Sequence, residues 1–428
     1  MSQQPEGTYR LRSIPNRFLA ALHYRDYRTL WTASLFAGAA AWALIVARGW
    51  LAFSIMETNA SLWVGVVTFM AMAPRFFLTP LIGFIADRFD RQTVLSWTYG
   101  LNLAHSVILA LLVMFGEVGI WHLVVLSLVN GTLRSAQQTT AQSLIPNLVP
   151  RDRLLNAVAL NQATQQGSRL VGPLAILPLL AFFDVAAAFW LCSAFYVLGL
   201  IQVLRVETRS RGKIDPNRSF LHNMAAGVIY TYQNPMLLTM VVLAVAHCSL
   251  TMSYESILPA ISQEKLGAGS AGFSYLIAGV GAGALISSIF LAGIRNETTR
   301  GRVFLFFAVT SGLGPIALAL STNRELSIAA TVFMGVNQAG FMTITHAIIQ
   351  SIVPDEIRGR ISAVYNMHVG GTMALANLTN GGLTDLLNAP LVLAAGGIIF
   401  IVLITSSVGL APLRRIYFPR AAASPSLA

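Results

Sequence analysis

The chain has 428 residues, 55% of them hydrophobic and only 11% charged, and its mean hydropathy is +0.66. A soluble domain of this length does not carry that composition, because it would have too few polar residues to cover its surface. The formal net charge is +11, yet no basic run is interleaved with aromatic residues; a nucleic-acid surface is excluded, and the charge is left to membrane-protein loops and anionic lipid.

In chain order, Phe18, Leu19, Leu22, Tyr24 and Tyr27 alternate with basic residues, a pattern for a short helix lying on a membrane surface. The first apolar segment covers roughly 29–54. It is too long for a signal-peptide core and lacks a small-residue cleavage site, so it is expected to stay in the mature chain. Others follow at 62–86, 93–115, 120–142, 157–182, 185–204, 236–259, 270–293, 302–320, 326–348, 361–386 and 390–411. Each is near the ~20 residues that cross ~30 Å of hydrocarbon at ~1.5 Å per residue. An all-α membrane protein of twelve transmembrane helices is expected.

Of the 28 lysines and arginines, 22 fall in alternate gaps, beginning with Arg10, Arg12, Arg17, Arg25 and Arg28, while the opposite gaps hold only Lys265 and Arg324. The positive-inside bias then places both termini in the cytoplasm of an inner-membrane protein. The long polar connection 206–235 divides the helices into sets of six. The expected order is a cytoplasmic segment 1–28, a bundle 29–205, the cytoplasmic connection, a second bundle 236–411 and a tail 412–428. A weak internal repeat supports the division, since Val149-Pro150-Arg151-Asp152 matches Val353-Pro354-Asp355-Glu356. Cys192 and Cys248 have neither paired-loop nor metal-ligand spacing and read as small buried residues.

The stretch Gly83-Phe84-Ile85-Ala86-Asp87-Arg88-Phe89-Asp90-Arg91-Gln92 resembles the major facilitator superfamily signature G-x-x-x-D-R-x-G-R-R/K, departing at Asp90 and Gln92. The resemblance implies a cytoplasmic latch role for Asp87, Arg88 and Arg91. Arg25-Asp26-Tyr27-Arg28, Arg48-Gly49-Trp50-Leu51, Leu148-Val149-Pro150 and Pro354-Asp355-Glu356-Ile357-Arg358-Gly359-Arg360 look like the subgroup that includes the enterobactin exporter and macrolide-efflux-type pumps. Gly167-Ser168-Arg169-Leu170-Val171-Gly172-Pro173 is similar to the Gly-x-x-x-Gly-Pro element of exporters, which implies a gating role for Arg169, Gly172 and Pro173 through a close helix contact and a kink.

Four arginines sit inside apolar segments: Arg48, Arg75, Arg134 and Arg169. Each costs roughly 2.5–3.5 kcal/mol to insert, so each must face a cavity, a carbonyl or a partner. Arg48 and Arg134 read as contacts for an anionic substrate. Arg75 and Arg169 read as structural, bonded to amides such as Gln137, Gln138, Asn161 and Gln165. Glu255 is the one acid clearly inside an apolar segment; its position relative to Arg48 matches the repeat, which suggests a pair closing an outer gate and coupling it to protonation. Asn130, Gln137, Asn337, Gln338 and Tyr365 are candidate polar contacts for substrate. His105, His247, His346 and His368 read as packing residues, and Gly279-Val280-Gly281-Ala282-Gly283 as a close helix contact, since no strand precedes it.

The chain is read as a secondary transporter and not an enzyme: a proton-coupled exporter of an amphipathic drug or siderophore, working by alternating access. No cofactor is expected, the energy source being the proton gradient. The expected partners are a small-molecule substrate and the lipid bilayer, with the protein a monomer. An importer or uniporter of an organic anion is the alternative, and a non-transporting membrane sensor the alternative of another class.

Overall fold

The computed structural model describes residues 20–77, 89–211, 220–291, 297–354, 357–409 and 413–414. Among them the regular structure is helical. The long helices are α1 (Arg25–Ile55), α2 (Ala60–Phe77), α3 (Arg91–Met114), α4 (Ile120–Leu148), α5 (Leu154–Phe182) and α6 (Val185–Leu204), then α7 (Phe220–Gln233), α8 (Pro235–His247), α9 (Gly269–Leu291), α10 (Glu297–Leu320), α11 (Arg324–Ile352), α12 (Arg358–Leu386) and α13 (Ala389–Ser407).

Helix starts follow short polar residues. Asp90, Asp184, Asn234, Asn323 and Asn388 each accept an amide of the first turn of α3, α6, α8, α11 and α13. Eight described spans are long and apolar enough to cross a membrane, against the twelve expected. The physical reason is visible in part of the remainder: α4, α5 and α12 are long but carry polar side chains on faces turned inward; the expected span 62–86 is described only as far as Phe77, and the rest of it lies outside the described residues. The expected span 236–259 is not one continuous helix. After α8 the chain forms a π turn at Cys248–Met252, unwinds through Ser253 and Tyr254, and resumes at Leu258–Ala260 and a second π turn, Ile261–Lys265. The connection 206–235 is not wholly loop either, because it contains α7, which packs on α12.

α1, α3, α4, α5 and α6 share one apolar core, which reaches across to α9 and the broken segment. A second core lies within α8, α10, α11 and α13, where His247 stacks on Phe341 and meets Phe400 edge-on. The two sets of helices meet along α2 with α12 and along α5 with α9. Both seams require glycine: a Cβ on Gly381 would lie 2.3 Å from the Ser61 carbonyl oxygen, and one on Gly281 2.6 Å from the Arg169 backbone. The Gly279–Gly283 run therefore wedges α9 between α5 and α11, as its small residues suggested.

The face carrying the starts of α1, α3 and α5 is the arginine-rich one. There the strand of chain after α6 is strapped down. Arg25 pairs with Glu207 at 2.7 Å, Thr208 donates to Asp26, and Arg209 pairs with Asp90 at 3.0 Å. Burial opposes ionisation of Asp26 and Asp90, but hydrogen bonds from Thr208 to the first, and from Arg209, Thr93 and Ser210 to the second, outweigh it and hold both carboxyls below their ordinary range.

Candidate binding cavity

A cavity of about 200 Å³ lies among α1, α2, α4 and α5. At ~1.5 Å per residue, Arg134 lies roughly 20 Å and Asn161 roughly 10 Å from the arginine-rich ends of their helices. The cavity thus occupies the depth from mid-membrane toward that face, with exposed Gln142 at its rim. Its walls hold Trp42, Arg75, Tyr99, Arg134, Gln137 and Gln165, and no Asp or Glu lines it among the described residues.

The polar side chains form a chain across three helices. Arg75 donates to Gln138 at 2.9 Å, and Gln138 to Gln165 at 2.9 Å. Gln137 lines the cavity and accepts from Asn102, which in turn accepts from Asn130 at 2.8 Å. Arg134 sits over the Trp42 ring at 5.8 Å and makes no hydrogen bond to a described residue. Arg169 lies over the same ring at 4.7 Å and donates to the Tyr254 hydroxyl, joining α5 to the broken segment after α8.

The structure thus sorts the expected site residues. Arg134 and Gln137 line the cavity, and Arg75, read as structural, lines it too while bonding Gln138 as expected. Arg48 does not line it. It is buried further along α1, beyond Trp42 and away from the arginine-rich end, where Nε donates to the Leu44 carbonyl at 3.3 Å and Nη1 to Ser127 at 3.2 Å. Nor does Arg48 pair with Glu255; the ion pairs among the described residues are Arg25–Glu207 and Arg209–Asp90. Glu255 is buried in the turn after the break, and the guanidinium whose field reaches it most strongly is that of Arg169. Asn130, Asn337 and Tyr365 are placed between helices rather than on the cavity: Asn337 accepts from Thr310, and Tyr365 meets His346 edge-on and Met342 at 3.9 Å. Gln338 donates to the Thr251 carbonyl at 2.7 Å and so caps the π turn.

Asp87 and Arg88 lie outside the described residues. Arg91 starts α3, and its Nη1 donates to the Ser143 carbonyl and the Ser210 hydroxyl, both at 3.1 Å, within the first six helices. The two signature departures have a local explanation. Asp90 caps α3 and holds Arg209, and Gln92 accepts from Arg209 at 2.7 Å, so the loop is built around the strap after α6. Gly172 makes the expected close contact, a Cβ there falling 2.4 Å from the Ala39 carbonyl oxygen, with Pro173 inside α5. From the sequence Asp385 reads only as an acid at a segment end, on the side opposite the arginines. Its carboxylate, at the end of α12, accepts the amides of Ser61 at 3.0 Å and Leu62 at 2.7 Å across the seam with α2, and so holds the opposite face closed.

The family described as transmembrane secretion effectors, within the major facilitator superfamily, matches residues 17–416. The chain belongs to that family. Curated relatives of this secretion effector include macrolide efflux protein A of Streptococcus pyogenes, 20% identical over 329 residues, 75% of this chain and 79% of the relative. The enterobactin exporter EntS of Shigella boydii is 22% identical over 328 residues, 76% and 78% of the two chains. The multidrug efflux pump Tap of Mycolicibacterium fortuitum is 24% identical over 377 residues, 85% and 88%. Among solved structures, the nucleoside transporter NupG matches with a TM-score of 0.71 at 12% identity, covering 89% of this chain and 99% of that one, a likeness of fold. The secretion effector is a multi-pass membrane transporter of the efflux type, not an enzyme.

Proposed function

We propose that this secretion effector exports an amphipathic small molecule by alternating access, driven by the proton gradient, as a monomer of the inner membrane. In this reading twelve crossings are divided between residues 29–205 and 236–411, and both termini face the cytoplasm. The carrying observation is the asymmetry of the two faces: the cavity reaches toward the arginine-rich face, while Asp385 and the α2–α12 seam close the other. That is a carrier waiting for substrate from the side its arginines mark as the cytoplasm. The names of the relatives support export, and the positive-inside bias supports the orientation.

Purified protein in proteoliposomes, given imposed pH gradients of either sign and a panel of dyes, drugs and catecholate siderophores, tests this. Accumulation against the proton gradient in one direction is expected. Flux indifferent to both the sign and the presence of the gradient would refute the coupling, and absence of flux for every class of compound would refute transport of this panel.

A further inference from the structure

We infer that the cavity among α1, α2, α4 and α5 selects a small aromatic organic anion, whose carboxylate, sulfonate or phosphate is held by Arg134 beside Arg75 and whose ring lies against Trp42. This rests on the transport reading and names the substrate class of the same cavity.

The four intramembrane arginines differ in the partners they bond. Arg48 spends its donors on Ser127 and the Leu44 carbonyl, Arg169 on Tyr254, and Arg75 on Gln138. Arg134 alone of the four makes no hydrogen bond to a described residue, although a guanidinium carries five N–H donors in a planar fork. It is half-buried in the cavity wall at mid-membrane depth, where such a group is retained only for a partner.

The rest of the wall decides the sign of that partner. Among the described residues, two guanidiniums and no carboxylate line the cavity, and the other polar groups there are neutral amides, hydroxyls and backbone. A cationic guest would meet two like charges on this wall with no described carboxylate lining it, which works against such a guest. A neutral guest leaves the fork unneutralised. An oxyanion accepts two parallel N–H donors and cancels one charge. Trp42, partly exposed in the wall, supplies the flat apolar surface, and about 200 Å³ accommodates a bicyclic acid. That is below the range of roughly 300–1,000 Å³ usual for drug-sized guests.

Three probes sharing one ring system separate charge from shape: 1-naphthoate, methyl 1-naphthoate and 1-naphthylmethylammonium. Binding of each to the full-length protein in lipid nanodiscs is measured by calorimetry, and flux of each in proteoliposomes. The acid is expected to bind about tenfold or more tightly than the ester or the ammonium. Arg134→Gln should abolish the preference, whereas Arg134→Lys, which keeps the charge and loses the fork, should retain part of it. Both variants are checked for wild-type elution and melting. Equal binding of acid and ester, tighter binding of the ammonium, an unchanged preference in a folded Arg134→Gln, or no binding of any probe overturns the inference. Gradient-driven flux without preference for the acid would sink the anion selectivity and leave transport standing; selective binding of the acid without flux of any compound would do the reverse.

Discussion

Asp385→Ala should release the closed face of the transporter. The residue before α2, Asn59, turns left-handed at φ 54°, and the second and third amides of the helix, Ser61 and Leu62, donate instead to Asp385, 324 and 323 positions away. These are the amides an N-cap side chain serves, so α12 caps α2 in trans. Loss of an N-cap side chain costs about 0.5–2 kcal/mol. Asp385 is exposed, so its charge is screened and the hydrogen bonds dominate; about 1 kcal/mol, roughly fivefold in the ratio of open to closed, is the working figure. Asparagine keeps one acceptor oxygen and sets its NH2 against the other amide, so Asp385→Asn should keep part of the cap and shift that ratio less than Asp385→Ala. Spin labels on exposed Glu57 and Gln263 report the separation of this face by pulsed electron resonance in lipid, and native Cys192 and Cys248, both buried, stay unlabelled. Identical distance distributions in Asp385→Ala and wild type, or an equal shift in Asp385→Asn, would refute the reasoning.

Cysteines introduced at exposed Glu117 and Arg151 should react with an impermeant reagent from the periplasm and only after permeabilisation, respectively; the reverse would invert the orientation. Asp90→Ala should lower the thermal midpoint by the equivalent of about 1–2 kcal/mol, because α3 loses its cap and the 206–211 strap its anchor. Since the folded carboxyl titrates below its ordinary 3.8, its contribution is complete above that value and is lost on acidification through the lower one; a deficit that grows as pH falls from 5 to 3 would contradict this. Exchanging Arg48 and Glu255 should not restore transport lost in either single neutralisation, because Arg48 is bonded to Ser127 and Leu44 instead; recovery in the double variant, measured by flux, would show that the two meet in another conformation.

The helices and their direction were legible because each rests on local pattern: apolar runs of membrane length, caps such as Asp90 and Asn388, and arginines in alternate gaps. Which arginine faces the cavity was not. Arg48 and Arg134 both read as lone cations inside a membrane-length segment, and only the packing of α1 against α4 gives the first Ser127 and leaves the second on the cavity. The trans cap was invisible because an aspartate at a segment end is ordinary, and its partner amides carry no side-chain signature. The break after α8 was hidden for a similar reason: 248–257 falls inside the membrane-length segment 236–259, and the amides that stabilise its unwinding lie more than eighty residues on.

Those amides have a consequence for anyone who would engineer this chain. Asn380 donates to the Ser253 carbonyl at 2.7 Å, Gln338 to that of Thr251 at 2.7 Å, and Asn377 accepts the Ser256 amide at 3.4 Å, so side chains of α11 and α12 stand in for a missing turn of backbone. Straightening α8 with better helix formers would orphan all three in the middle of a low-dielectric protein, so the local gain in propensity would be offset by stranded amides elsewhere. A consensus redesign that treats 248–257 as one more span must therefore change 338, 377 and 380 in the same step, or leave the segment bent.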